Sequence, residues 1–77
     1  MTQTISDLHK GDTAIVVSYG DMDRAFRQKL VSMGLTRGAE FTVVRKAPLG
    51  DPIQIKVGST SFSLRVVDAK ELQVKKQ

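Results

Sequence analysis

Apolar positions recur with a period of two in five places along the chain. Ile15, Val17 and Tyr19 alternate with Ala14, Val16 and Ser18; Phe41 and Val43 with Thr42 and Val44; Ile53, Ile55 and Val57 with Gln54 and Lys56; Phe62, Leu64 and Val66 with Ser61, Ser63 and Arg65; Leu72 and Val74 with Gln73 and Lys75. Side chains of a strand point alternately to opposite faces, so each run has one apolar face. That is the pattern of an antiparallel sheet buried on one side. The parity of Ile15, Val17 and Tyr19 is assigned to the core. After the first run the period changes. Met22, Phe26, Leu30 and Met33 fall at i, i+4, i+8 and i+11, one side of a helix about three turns long. Asp23 is placed to cap that helix and to pair with Arg27. Gly34 is placed to end it in the left-handed conformation, and Gly38 builds the turn into the next strand. Gly58-Ser59-Thr60 reads as a hairpin turn, and Asp68-Ala69-Lys70-Glu71 as a single turn too short for a stable helix.

Five short strands with two long open edges would invite aggregation. Closing them into a small barrel removes the edges. The predicted fold class is therefore all-β, a five-stranded barrel with one helix inserted after the first strand. At 77 residues the chain is read as a single domain, 1–77. A core of that size leaves little room for a deep ligand cavity.

Composition narrows the chemistry. There is no cysteine, which excludes disulfides, thiolate metal sites and a cysteine nucleophile. The N-terminus has no basic region followed by an apolar run, and no apolar stretch approaches the ~20 residues that span a bilayer. A cytoplasmic protein without membrane insertion is expected. Twelve Lys and Arg stand against eight Asp and Glu, for a net charge of +4. Such a bias admits nucleic acid as a partner. RNA binders, however, interleave aromatics with the basic residues to stack bases. Here Tyr19, Phe26, Phe41 and Phe62 all fall on the predicted core side, so no nucleic acid is expected and RNA binding stays the alternative. The serines have no neighbouring histidine base, no carboxylate pair stands in an apolar setting, and the glycines do not follow a phosphate-loop spacing. Neither an enzyme nor a cofactor is predicted.

Several segments taken together resemble the FeoA family, small cytoplasmic proteins of bacterial ferrous iron transport. They are Phe26-Arg27-Gln28-Lys29-Leu30, Met33-Gly34-Leu35 with Gly38, Val43-Val44-Arg45 leading into Ala47-Pro48-Leu49-Gly50-Asp51-Pro52-Ile53, and Leu64-Arg65. The likeness covers nearly the whole chain. It implies an SH3-like barrel. It implies a partner, the FeoB permease with its cytoplasmic G-protein domain, and hence a place at the inner membrane through that partner. A third small Feo protein and weak self-association belong to the same picture. Related domains end iron- and manganese-dependent repressors, which also carry a helix-turn-helix and metal ligands that this sequence lacks. The transport accessory is thus the reading, and a repressor-like regulatory domain a further alternative. Position 37 departs from the family: Arg37 stands where many members have proline.

The iron theme makes a metal site the first chemistry to weigh. His9 is the sole histidine, and Asp7 and Asp12 flank it at a spacing that matches no ligand pattern. No metal site is predicted. Partner contact is assigned to two places. One is the corner Pro48, Leu49, Gly50, Asp51 and Pro52, where prolines fix the backbone, Leu49 offers an apolar anchor and Asp51 sets orientation. The competing reading has Leu49 folding back to close the barrel end. The other place is the exposed helix side with Arg24, Arg27, Gln28 and Val31, suited to an acidic surface of the permease or a second copy. An arginine offered to the partner's nucleotide is a sharper idea, with Arg24, Arg27, Arg37 and Arg45 formally available.

Overall fold

The period-two runs fold as strands of one antiparallel sheet in the computed structural model, which describes residues 3–77. The elements are β1 (Gln3–Thr4), a 3-10 turn (Ile5–Asp7), β2 (Thr13–Ser18), α1 (Arg24–Ser32), β3 (Glu40–Lys46), β4 (Ile53–Val57), β5 (Thr60–Leu64), α2 (Val66–Ala69) and β6 (Gln73–Lys76). The six strands lie in the order β1-β6-β2-β3-β4-β5. Two expectations are corrected here. A short strand, β1, adds a sixth member by pairing Gln3 with Val74 and Thr4 with Gln73. The ladder is also not closed, because β1 and β5 stand at its two ends without pairing to each other. The 3-10 turn and α2 pack against each other instead. Buried Ile5, Leu8, Ala69 and Leu72 add the apolar filling that these connecting segments contribute. The mainly β class stands.

The parity of the first predicted strand is also corrected. Ala14 and Val16 are buried, at 0% and 2% exposure, while Ile15 and Val17 are only half-buried. The reason is a bulge. Val16 faces Val74 and Ser18 faces Gln73, so Val17 is an extra residue in β2. A bulge shifts the alternation by one and increases local twist. Beyond it Tyr19 turns inward and is buried. A second bulge falls at Val44, between the pairs Val43–Ile55 and Arg45–Gln54. Val66, read as the end of a strand, instead begins α2.

The helix forms where its pattern places it. Asp23 Oδ2 accepts the Phe26 N–H at 3.1 Å, capping the first turn. The expected pair with Arg27 is not formed; that guanidinium lies over the Tyr19 ring instead. Leu30 is fully buried, and Met22, Phe26 and Met33 pack against the core around it. Gly34 at φ +97° ends the helix. Its N–H reaches Val31 O at 3.0 Å and Leu35 N–H reaches Leu30 O at 2.9 Å. Those two bonds make a Schellman motif, and buried Leu35 supplies the apolar contact that usually accompanies one. Gly38 N–H then bonds Val16 O at 2.8 Å, returning the chain to the sheet.

Candidate functional site

The corner between β3 and β4 is built by local chemistry. Lys46 and Ile53 form the last pair of the ladder. Ala47 N–H donates to Pro52 O at 3.0 Å, and Gly50 N–H donates to Ala47 O at 2.7 Å. The second bond closes a β-turn with Pro48 in the position where its fixed φ fits. Gly50 follows at φ +86°, and the Asp51–Pro52 peptide is cis. Leu49 stands at the apex, 96% exposed. The reading in which it folds back into the core is thereby overturned. An apolar side chain is held in water by a turn whose backbone is already fixed.

Asp51 also has a structural role within the fold. Its Oδ1 accepts the Val66 N–H at 2.9 Å. Val66 is the first residue of α2, and the Arg65 side chain provides no cap. Asp51 therefore caps α2 from a distant loop and braces the corner against it.

On the helix side, Arg24, Arg27 and Gln28 are exposed and Val31 is 39% exposed. The guanidinium of Arg27 lies over the Tyr19 ring, 5.9 Å from its centroid. Tyr19 is itself held by its hydroxyl, which donates to Leu35 O at 2.8 Å. A cleft here is lined by Ser18, Tyr19, Gly20, Arg27, Val31 and Arg37. Arg27 and Val31 thus meet Arg37, a residue from the turn before β3, whereas Arg24 and Gln28 do not line the cleft. None of the corner residues does either, so the predicted partner surface divides into two patches.

Val67, 56% exposed on α2, escaped the sequence reading, which ended a strand at Val66 and began a turn at Asp68. It borders a groove between α1 and α2 that includes Met22, Phe26, Lys29 and Asp68.

The residues around His9 serve the backbone. Asp12 Oδ2 accepts the His9 N–H at 2.8 Å, and Asp12 Oδ1 lies 3.5 Å from Lys76 Nζ. The His9 bond, aided by Lys76 and opposed by desolvation, holds the Asp12 carboxyl below the usual aspartate range. Asp7 Oδ2 accepts the Thr4 N–H at 3.0 Å. Among the described residues, no three His, Cys, Asp or Glu side chains converge to hold a metal. Among them, too, no helix is long and apolar enough to cross a membrane. Of the aromatics, Phe41 and Tyr19 are buried and Phe26 and Phe62 are half-buried on the core.

Comparison with known proteins places this geometry. Residues 3–76 match the FeoA domain family. A Porphyromonas gingivalis fusion of Fe(2+) transport protein A with the Fe(2+) transporter FeoB is 37% identical over 70 residues, 91% of this chain. The chain spans only 8% of that relative's length. The crystal structure of an iron uptake regulatory protein (FeoA) superposes with a TM-score of 0.83 at 40% identity, covering 100% of this chain and 99% of the other. Stenotrophomonas maltophilia FeoA, crystallised with zinc and described as a prokaryotic SH3 domain protein, superposes at 0.81 with 32% identity over 97% of this chain and 95% of its own. The open six-stranded sheet is thus SH3-like. A manganese-dependent transcriptional repressor has the same fold at TM-score 0.87 with 18% identity, over 99% of this chain and 41% of the repressor.

Proposed function

This chain belongs to the FeoA family of ferrous iron transport domains, and on that premise we propose that it binds the cytoplasmic side of a FeoB-type permease. In this reading residues 1–77 act as one SH3-like domain that supports or regulates ferrous iron uptake by contact, and iron is the permease's cargo. The supporting observation is the Porphyromonas gingivalis relative, which carries the same kind of domain and the transporter in one polypeptide. A short flexible tether gives two domains an effective concentration on the order of millimolar. The contact itself still needs a surface on the domain to dock. The Leu49 tip suits that need, since a leucine already exposed on a fixed turn loses little freedom on docking.

The test is a titration of this protein against the detergent-solubilised permease of the same cell, with GDP and with a non-hydrolysable GTP analogue. Saturable binding in at least one nucleotide state is expected. Absence of binding in both, by protein shown to be folded, overturns the reading.

A further inference from the structure

The cleft beside α1 has properties that general contact does not require. Two guanidiniums, Arg27 from the helix and Arg37 from the turn before β3, line it, and no carboxylate does. The ion pairs among the described residues, His9–Asp12 and Lys76–Asp12, involve neither arginine. The carboxylate of Glu71 comes near Gly20, where its Oε2 is 3.4 Å from the Asp21 N–H, yet it does not line the cleft. Arg27 is steadied by the Tyr19 ring, and Tyr19 by its bond to Leu35 O. A planar fork held in place binds an oxyanion with less loss of freedom than a mobile one. Ser18 Oγ accepts the Gly20 N–H at 3.0 Å, which leaves its own hydroxyl proton free to donate. Val31, partly exposed, gives one apolar wall.

We propose that this cleft receives a glutamate or aspartate side chain from an acidic segment of a protein partner. Its volume of about 290 Å³ sits at the lower edge of the usual range for ligand pockets and leaves room for one or two side chains. The sign of the chain agrees, at +4 overall. Two forks and a hydroxyl match the lone pairs of one carboxylate, or of two neighbouring ones. The apolar neighbour of that carboxylate lies against Val31 and the tyrosine ring. This rests on the reading that the domain works by protein contact, and it names the chemistry of one contact.

The test uses the folded protein labelled for amide NMR and two peptides, acetyl-Glu-Glu-Leu-Glu-amide and its Gln-Gln-Leu-Gln counterpart, in low salt. The acidic peptide is expected to shift the amides of Ser18, Gly20, Val31 and Arg37. The neutral peptide is expected to leave them in place. Raising the salt concentration weakens binding, because exposed charges are screened. Arg37→Gln and Arg27→Gln each weaken it about tenfold, the usual loss for one charge-assisted contact. Lys56→Gln, a control elsewhere on the sheet, changes it less than twofold by the weak effect of remote exposed charges. Equal binding of both peptides, shifts centred elsewhere, full binding by folded Arg37→Gln, or tighter binding of inorganic phosphate than of the peptide each overturns the proposal. No permease takes part, so the cleft can fail while permease binding persists, and the reverse.

Discussion

Leu49→Ala separates partner contact from folding. The side chain is 96% exposed, so its removal takes almost no apolar area out of the core. The backbone of the turn is held by Pro48, Gly50 and the bond from Gly50 to Ala47 O, none of which involves the leucine side chain. The stability change is therefore expected within about 0.5 kcal/mol, as for other exposed positions. For a chain of this size that is a shift in melting temperature of no more than about 4 °C. Docking is different. Burying a whole leucine side chain contributes roughly 1.5–3 kcal/mol. At about 1.4 kcal/mol per decade, its loss weakens the complex with the permease roughly 10- to 150-fold. Leu49→Asp goes further, since a carboxylate then enters an apolar site without a partner. The assay pairs thermal unfolding of each variant with a titration against the solubilised permease. An unchanged dissociation constant for a stable Leu49→Ala protein refutes the anchor. A fall in melting temperature beyond about 8 °C refutes the exposed placement itself.

Removing the brace with Asp51→Ala should cost about 1 kcal/mol, the usual loss of a helix cap, and speed hydrogen exchange at the Val66 amide; unchanged exchange would argue that the bond is not formed in solution. Gly20 and Gly58 have nearly the same φ, +57° and +60°, but a Cβ on Gly20 would sit 2.8 Å from Glu71 O, while one on Gly58 meets nothing. Gly58→Ala should then cost about 1–2 kcal/mol for the left-handed backbone alone, and Gly20→Ala clearly more, by chemical denaturation; equal costs would remove the close approach. Asp12 has its carboxyl held low in the folded state, so folding favours the ionised form. That contribution is present above the normal aspartate value and fades as pH falls below about 4. Wild type should therefore exceed Asp12→Asn in melting temperature at neutral pH, with the gap narrowing on acidification; a gap independent of pH would deny the linkage.

Features set by neighbours along the chain were legible in the sequence. The helix, its Asp23 cap, its glycine end and the Gly58 hairpin follow from local spacing and turn chemistry, and each falls within a residue or two of its expected place. Features set by a distant strand were not. The bulge at Val17 is defined by pairing with Gln73 and Val74, far along the chain, so counting alternate residues put Ile15 and Val17 on the wrong face. The two residues of β1 are too few to show a period. At the corner, the two prolines and the glycine announced a turn, yet those residue types did not say whether Leu49 faced inward or outward. Arg27 and Arg37 looked like separate surface charges, because their meeting needs the path from α1 into β3.

The extra step at Val17 reaches further than the strand that holds it. Were the bulge ironed out, with Val17 set opposite Gln73, Tyr19 would fall on the outer face and surrender its grip on Leu35. Arg27 would lose the plate beneath it and be left on a loose stalk. A recess lined with charge thus depends on arithmetic, one more peptide unit in a strand than its neighbour can match.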